Sequence, residues 1–344
     1  MRYKLLGKSG LRVSEICLGT MTFGEDWGWG APKEESEKIL RVFADSGGNF
    51  IDTSINYTDG TSEKFLGEFL EGDRDRFVVA TKYTLSTRKS DPNAGGNHRK
   101  NMLRSLETSL KRLKTNYIDL YWLHMWDYTT PIEEVMRALD DVVRSGKVHY
   151  VGVSDTPAWV ASRANTMAEA NGWTPFVGLQ VPYSLTRRDA ERELLPMARS
   201  LDLAFCAWGP LAAGLLTGKY TGMSKEKPEG RLSRPDWGVS ERGKKIAAEV
   251  DRVASEAGCS SAQVALNWVR QQRGVVIPIV GATKPSQMKD NLGCLEFQLN
   301  QDQMKRLDEA TKIDLGFPHE FLKDDEVREL IFGGTFPLID NHRT

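Results

Sequence analysis

Residues 118–154 read IDLYWLHMWDYTTPIEEVMRALDDVVRSGKVHYVGVS, and they contain the unit from which the chain is built. The two ends, 118–124 and 150–154, are short runs of aliphatic and β-branched residues, which are typical of buried strands. Residues 131–145 between them have apolar side chains at helical spacing and a polar opposite face. A strand, a helix and a second strand in this order indicate two parallel strands joined by a right-handed crossover.

The same alternation extends along the chain. Six more strand patterns occur, at 16–20, 50–52, 78–82, 177–181, 203–208 and 275–280. Helical patterns lie between many of them, at 33–46, 97–114, 157–171 and 189–200. Eight strands alternating with helices predict the α/β class and a closed (β/α)8 TIM barrel. An open doubly wound sheet is the weaker alternative, because no GxGxxG turn follows the first strand.

Three segments lie outside this repeat. The opening YKLLGKSGLRVS (3–14) alternates around a Gly-Lys-Ser-Gly turn and predicts an N-terminal β-hairpin that closes the bottom of the barrel. Residues 209–239, after the seventh strand, are rich in Gly and Pro and form a candidate lid. Extra C-terminal helices are predicted at 285–292 and 301–312, before an aromatic-rich tail. No linker composition divides residues 1–344, so we expect a single domain.

Composition narrows the possible partners. The 344 residues are 40% hydrophobic and 27% charged, and 46 basic against 47 acidic residues give a formal net charge of −1. No stripe of Lys and Arg with interleaved aromatics occurs, so neither nucleic acid nor an anionic membrane is an expected partner. A small, near-neutral molecule fits this balance better. The sequence does not indicate an oligomeric state.

The cysteines and the N-terminus bear on the cellular compartment. Cys17, Cys206, Cys259 and Cys294 are far apart and lack metal-ligand spacing, so we expect reduced core thiols and no bound metal. The N-terminus has no apolar signal core, and no apolar run has the length of a membrane span. These features predict a cytoplasmic protein.

Three ionisable residues end three successive strands of the predicted barrel. Asp52 ends the second strand, Lys82 the third and His124 the fourth. Each has an ordinary explanation alone, as a cap, a solvated lysine or a core histidine. In a TIM barrel, however, the carboxyl ends of the strands meet at one mouth, where unpaired charges would be costly. The set therefore favours a functional site over three unrelated structural roles.

The residue types suggest a chemistry. Tyr57 lies five positions after Asp52, and a lysine cation held by an aspartate would lower the tyrosine pKa so that the phenol can donate a proton. His124 would orient and polarise a carbonyl oxygen. No GxSxG elbow or HExxH motif supplies a nucleophile or a metal. A cofactor must then deliver the other reactant, and hydride from a nicotinamide fits.

These residues belong to segments that, in order and nearly from end to end, resemble the aldo-keto reductase superfamily. Besides the four residues above, the matching segments are Leu18-Gly19-Thr20-Met21, GVSD (152–155), WGPLAAGLLTGKY (208–220) and IVGATKPSQMKDN (279–291). The stretches GNHRKNM (96–102), GFPHEFL (316–322) and IFGG (331–334) are similar to the aryl-alcohol-dehydrogenase-like branch.

The resemblance implies a catalytic tetrad and an NADP(H) site. The tetrad is Asp52, Lys82, His124 and Tyr57, with Tyr57 as the acid. Ser154 and Gln180 would hold the nicotinamide carboxamide, and Trp208 would stack on the ring. The remaining cofactor residues implied by the resemblance are Thr20, Met21, Asp52, Leu211, Gly281, Thr283, Lys284, Gln287 and Asn291.

The chain departs from the family pattern at several cofactor positions. Asp155 stands where asparagine is usual, and a carboxylate can accept from the carboxamide but cannot donate to it. Trp208 replaces a common tyrosine, and Gly209 a common serine. No basic residue stands at Gln287, and the nearest candidate for a 2′-phosphate contact is Lys284. On this basis we expect NADP rather than NAD.

Loop aromatics predict the character of the substrate. Trp27 and Trp29 follow the first strand, and Trp126 and Tyr128 follow His124. Together they indicate an apolar, aromatic-lined pocket. The predicted function is NADPH-dependent reduction of an aldehyde or ketone. Two alternatives remain open at this point: an aldolase in which Lys82 forms a Schiff base, and a reductase-like subunit that senses nucleotides for a membrane complex.

Overall fold

The computed structural model describes residues 1–221 and 239–341. Eight parallel strands form a closed barrel in chain order, and the last strand pairs with the first. The strands are β3 (Cys17–Gly19), β4 (Phe50–Asp52), β5 (Val78–Tyr83), β6 (Ile118–Leu123), β7 (Val148–Ser154), β8 (Phe176–Pro182), β9 (Ala204–Trp208) and β10 (Val276–Val280). The predicted TIM barrel is confirmed, with strand ends within two residues of those expected.

The N-terminal hairpin is also confirmed. Strands β1 (Tyr3–Leu5) and β2 (Arg12–Ser14) pair antiparallel. Leu6 directly follows β1, and Val13 lies in β2. Both are fully buried in the cluster that fills the barrel interior. The hairpin therefore closes one end of the barrel and leaves the other end for the site.

Trp122 dominates that interior, and two glycines make room for it. A Cβ on Gly152 would lie 2.3 Å from the Trp122 ring, and one on Gly178 would lie 2.9 Å from it. Both distances are shorter than any ordinary contact, so β7 and β8 need glycine at these positions. The large ring of Trp122 on β6 is thus accommodated by glycines on the next two strands, which keeps the barrel interior filled.

Twelve helices are described, and all but two short ones in the tail pack around the barrel and bury a second apolar layer. They are α1 (Lys33–Asp45), α2 (Thr61–Phe69), α3 (Arg99–Arg112), α4 (Ile132–Arg144), α5 (Ala158–Asn171), α6 (Leu194–Ser200), α7 (Glu241–Ala257), α8 (Ser261–Arg270), α9 (Pro285–Leu292), α10 (Gln301–Thr311), α11 (His319–Lys323) and α12 (Asp325–Phe332). The helix expected at 189–200 starts only at Leu194, after a 3-10 turn at Asp189–Glu191. Pro196 explains this, because proline is tolerated in the first turn of a helix but not in its interior.

The C-terminal region agrees in part with the sequence. Helices α9 and α10 are confirmed, whereas α11 and α12 in the tail were not predicted. Both short tail helices are largely exposed. Of the candidate lid, the structure describes Gly209 to Thr221, with a 3-10 turn at Ala212–Thr217, and positions 222–238 lie outside the described residues.

Two smaller expectations can be compared with the structure. All four cysteines are free thiols, but only Cys17, Cys206 and Cys294 are buried. The expectation of a core position is wrong for Cys259, which follows the end of α7 and keeps part of its surface exposed. Within the described ranges, no helix combines the length and the apolar character needed to cross a membrane.

Candidate active site

Asp52 is the anchor of the site. It ends β4 with only 2% of its surface exposed. Its Oδ1 accepts a hydrogen bond of 2.8 Å from Gln180 Nε2 on β8, and its Oδ2 pairs with Lys82 on β5. Residues from three strands therefore meet at the carboxylate, because the carboxyl ends of the barrel strands point toward one mouth.

Lys82 uses all three of its ammonium donors. Nζ donates to Asp52 Oδ2, to the Thr53 carbonyl oxygen at 2.7 Å and to the Tyr57 hydroxyl at 3.1 Å. Burial lowers the pKa of Lys82, but Asp52 and Tyr57 together raise it above its ordinary value. Lys82 is therefore a fully buried ammonium ion at neutral pH that is fixed in place by hydrogen bonds.

Tyr57 lies on a tightly wound loop between β4 and α2. Three residues in succession after it, Thr58, Asp59 and Gly60, have left-handed φ angles of 45°, 52° and 94°. Such angles are uncommon for residues other than glycine, and here they are held in place by the Thr58 hydroxyl, which donates to the Phe23 carbonyl at 2.6 Å. The loop turns the Tyr57 hydroxyl back over Lys82.

The acidity of Tyr57 differs from the expectation. Burial raises the pKa of Tyr57 above its ordinary value, and the charge of Lys82 opposes this rise without cancelling it. The prediction that the lysine brings the pKa below its usual range is therefore wrong in direction for the net shift. The predicted direction is correct only for the contribution of Lys82, which lowers the pKa of Tyr57 because a cation favours the phenolate.

His124 is neutral and has a defined neighbour. Burial, and after it the charge of Lys82, holds the pKa of His124 well below its usual range. Its Nδ1 lies 3.2 Å from the Ser54 hydroxyl, which donates to Asn56 Oδ1 at 2.7 Å. A hydroxyl has one proton, so in this arrangement Ser54 accepts from Nδ1–H and leaves Nε2 as an acceptor. For His124 to donate to a carbonyl, its proton must be on Nε2. The Ser54 hydroxyl must then turn from Asn56 and donate to Nδ1 instead.

An ion pair between the partly buried Arg112 and the buried Glu63 lies under the Tyr57 loop. Arg112 of α3 donates to the Ile55 carbonyl at 2.6 Å and to Glu63 Oε2 at 3.1 Å, and Thr81 donates to Glu63 Oε1 at 2.7 Å. A Cβ on Gly60 would lie 2.3 Å from the Arg112 guanidinium carbon. The guanidinium thus occupies the space under the loop that carries Tyr57.

Arg112→Met is expected to destabilise the fold by about 3 kcal/mol, at the lower end of the range for breaking a buried ion pair, because it leaves the buried Glu63 carboxylate unpaired. Urea unfolding followed by circular dichroism measures the loss. The double variant Glu63→Gln/Arg112→Met is the matched control and should recover most of the stability. Equal stability of the wild type and the single variant would contradict this role.

A cavity of about 1010 Å³ opens above these groups, at the upper end of the size range of small-molecule and cofactor sites. It is lined by most of the predicted site residues, namely Met21, Trp27, Trp29, Asp52, Tyr57, His124, Ser154, Gln180, Trp208, Leu211, Gly281, Thr283, Gln287 and Asn291. The described lining thus runs from the tetrad along the mouth to the start and first turns of α9.

Five predicted residues do not line the cavity. One of them is Tyr128, expected among the pocket aromatics, which lies on the loop after His124 with 73% of its surface exposed. Lys82 lies directly beneath it, bonded to Tyr57. Thr20 is fully buried, with its hydroxyl bonded to the Asp52 carbonyl and to Ser62. Trp126 packs against the core around the barrel, and Lys284 is exposed at the N-cap of α9. Thr20 was expected to contact the cofactor and Trp126 the substrate, but neither residue lines the cavity.

Other lining residues were not predicted. Leu85 follows β5, Lys219 ends the WGPLAAGLLTGK segment, and Asp290 lies on α9. The motif that suggested Trp208 already contained Lys219, and its charge was the signal that could have identified it. No periodicity or charge pattern marked Leu85.

The cavity fits a nicotinamide dinucleotide. Within the described part of the chain, the Ser154 hydroxyl is buried without a hydrogen-bond partner, beside Gln180 at the tetrad end. A buried hydroxyl without a partner is costly and suggests a ligand group that completes it. At the other end, Thr283 and Asn291 border the same cavity as Lys219, where a phosphate would find polar and cationic groups.

Aromatic rings form the wall beside Tyr57. The rings of Trp27 and Trp29 are 5.8 Å apart, and the ring of Trp27 is 6.4 Å from that of Tyr57 at an interplanar angle of 81°. Trp27 is also tied to the strained loop, because its Nε1 donates to Asp59 Oδ1 at 3.3 Å. An apolar, planar group in the cavity would meet these rings next to the Tyr57 hydroxyl.

Comparison with known proteins gives the family. Residues 15–312 match the Aldo/keto reductase family. A norsolorinic acid reductase of Aspergillus flavus is 38% identical over 328 residues, covering 92% of this chain and 83% of that protein. An aryl-alcohol dehydrogenase, NADP(+), of Phanerodontia chrysosporium is 40% identical over 334 residues, covering 92% and 87%. A putative aryl-alcohol dehydrogenase of Saccharomyces cerevisiae is 36% identical over 340 residues, covering 94% and 90%.

These relatives match nearly the whole chain, as the motifs do, and the predicted likeness to the aryl-alcohol-dehydrogenase branch is confirmed. With its eight-stranded parallel barrel and its match over residues 15–312, the chain belongs to the aldo/keto reductase family of oxidoreductases.

Proposed function

We propose that this protein reduces an aromatic aldehyde or ketone to the alcohol with NADPH, with Tyr57 as the general acid. The observation that carries the proposal is the contact of Tyr57 with Lys82, which is charged, buried and held by Asp52. This group lies at the floor of a cavity large enough for a dinucleotide and a small substrate. The expected partner is thus a small carbonyl compound.

NADPH, when bound, supplies the hydride that adds to the carbonyl carbon. Ser154 and Gln180 would hold the carboxamide of the nicotinamide, which their burial and their position at adjacent strand ends beside the tetrad support. Trp208 lines the same cavity and would stack its indole on the ring. Thr283, Asn291 and Lys219 also line it and would hold the phosphate end.

Tyr57 then provides the proton. The alkoxide that forms at a reduced carbonyl is a stronger base than a phenolate, so the transfer stays favourable although burial raises the pKa of Tyr57. Lys82 stabilises the phenolate that remains, and Asp52 keeps Lys82 charged and oriented toward it. His124 lines the same space as a neutral ring, and it can donate from Nε2 to the substrate oxygen once the Ser54 hydroxyl has rotated to donate to Nδ1.

The contacts of Lys82 weigh against a Schiff-base aldolase. An amine that attacks a carbonyl must be neutral and able to approach it. Lys82 is fully buried, its three donors are engaged, and its partners raise its pKa. The assembled tetrad likewise favours an enzyme over a subunit that only senses nucleotides, because sensing needs no positioned acid.

The aromatic wall and the names of the relatives point to the same substrate class. Trp27 and Trp29 line the cavity beside Tyr57. The relatives described above are named for aryl alcohols and for norsolorinic acid. We therefore propose an aryl aldehyde or aryl ketone in preference to a small aliphatic carbonyl.

A screen of NADPH oxidation tests this function. Purified protein is mixed with NADPH and matched aromatic and aliphatic aldehydes, ketones and quinones, and absorbance of the reduced cofactor is followed. The expected result is turnover with higher kcat/KM for aromatic carbonyls. Borohydride with substrate but without NADPH serves as the control for the aldolase alternative. Lack of turnover with every carbonyl, or a trapped adduct on Lys82, would contradict the proposal.

NADPH should be preferred to NADH. Lys284, at the N-cap of α9 beside the cavity-lining Thr283, would pair with a 2′-phosphate, which only NADPH carries. We expect Lys284→Ala to reduce the ratio of kcat/KM for NADPH to kcat/KM for NADH by about tenfold, because one charge-assisted contact is lost. Lys289→Ala removes the same charge from the last turn of α9, away from the N-cap, and is the control. A wild type that uses both cofactors with equal efficiency would contradict this.

A further inference from the structure

Asp155 is a carboxylate at the tetrad end of the cavity that has no part in the tetrad. It directly follows Ser154, lines the cavity, and accepts a hydrogen bond of 3.1 Å from Trp208 Nε1. Its backbone has φ 38°, in the left-handed region that Asp and Asn tolerate better than most residues. The carboxylate is thus held at a defined place beside Trp208.

The charges at this end of the cavity do not balance. Lys82 and Asp52 form a pair that is neutral overall. Asp155 adds a second carboxylate that interacts electrostatically with Tyr57 and Lys82. Its other cationic neighbour, Arg187, has an exposed side chain, so water screens that charge and it offsets the carboxylate only in part. The reaction centre therefore experiences a negative charge that the proposed proton transfer does not require.

The position of the nicotinamide follows from the chemistry of the proposed function, on which this inference rests. Hydride and proton are delivered to the carbon and oxygen of one carbonyl, so the ring must lie close to the Tyr57 hydroxyl. Asp155 lines that same end. The reduced ring is uncharged, whereas the oxidised ring carries a positive charge, so a nearby carboxylate attracts only the oxidised form.

We propose that Asp155 makes the site bind the oxidised cofactor more tightly, relative to the reduced cofactor, than an uncharged side chain would. Hydride donation by the bound cofactor is thereby favoured, and the equilibrium on the enzyme is displaced toward the alcohol. A single partly buried charge at contact distance from the ring corresponds to about a tenfold change in relative affinity. The same attraction slows release of the oxidised cofactor.

Asp155→Asn tests the inference, because the amide has the same shape, keeps an oxygen for Trp208 and tolerates the left-handed backbone. Dissociation constants of NADPH and NADP+ are measured by fluorescence titration with the purified proteins. Burial raises the pKa of Asp155, so the titrations are made at a pH of about 8, far above the ordinary range of a carboxyl group. The ratio of Kd for NADP+ to Kd for NADPH should rise about tenfold in the variant.

Trp208→Phe separates charge from positioning. It removes the indole N–H that contacts Asp155 but keeps the carboxylate, so both dissociation constants can increase while their ratio stays near the wild-type value. A ratio unchanged in Asp155→Asn, with both forms still bound, would overturn the inference and leave the proposed function standing. The inference would also be overturned if the ratio of Kd for NADP+ to Kd for NADPH changed as much in Trp208→Phe as in Asp155→Asn. Failure of the wild type to bind either form would overturn the proposed function itself.

Discussion

Tyr57→Phe is expected to lose carbonyl reduction by a factor of about 100 to 10,000, the usual contribution of a positioned general acid, while NADPH affinity stays within about twofold of wild type. Only the hydroxyl is removed, and the ring keeps its contacts with Trp27 and His124. Steady-state turnover and fluorescence titration of NADPH measure the two effects separately.

Tyr128→Phe provides the matched control for this change. Tyr128 lies on the loop after His124, with 73% of its surface exposed, and the same substitution there should leave turnover unchanged. A Tyr57→Phe protein with turnover within a few-fold of wild type would rule out Tyr57 as the proton donor. Loss of NADPH binding in that variant would instead assign the residue to the cofactor.

Lys82→Met should impair the chemical step more than it impairs nucleotide binding. Without the cation, the pKa of Tyr57 rises further, and each pKa unit corresponds to about 1.4 kcal/mol of lost stabilisation of the phenolate. We expect single-turnover oxidation of bound NADPH to slow at least about 100-fold. A rate near wild type would contradict the role of Lys82.

The variant also leaves the buried Asp52 carboxylate without its partner, which destabilises the fold. Asp52→Asn/Lys82→Met should therefore recover stability in urea unfolding without recovering activity, which separates the chemical effect from a folding defect. A double variant that regains activity would show that Lys82 is needed for folding only.

The pH profile gives an independent signature of the same pair. Reduction requires the protonated phenol, so the rate should fall as pH rises through the titration of the coupled Tyr57 and Lys82. Burial raises the pKa of Tyr57 above 10.0, which puts the fall in the alkaline range. In Lys82→Met the phenol ionises less readily, so the fall should move to higher pH.

The barrel could be predicted because parallel strands buried on both faces leave short aliphatic runs, and the helices between them show a different period. Asp52, Lys82 and His124 could be predicted because TIM barrels place strand ends at one mouth. Tyr57 lies on a loop instead and was identified by its residue type, its position after Asp52 and the family resemblance. The start of α6 was predicted too early, although the sequence contains the signal for the later start. Pro196 must lie in the first turn of a helix, which places the start near Leu194.

Other features depend on burial and on side-chain direction, which spacing does not reveal. Trp126 and Trp27 both lie in loops near the mouth, yet only Trp27 lines the cavity. The pKa of Tyr57 reflects a balance between burial and Lys82 that no motif reports. Arg112 supports the Tyr57 loop from a helix more than 50 positions away, through the carbonyl of Ile55.

Transfer of deuterium tests the central claim most directly. NADPH deuterated at the transferred position of the ring is incubated with an aryl aldehyde and the wild-type protein, and the alcohol is analysed by mass spectrometry and NMR. Hydride transfer with Tyr57 as the acid predicts one deuterium on the carbinol carbon with the wild type, and almost no alcohol with Tyr57→Phe. Alcohol without deuterium, or equal amounts of labelled alcohol from both proteins, would contradict it.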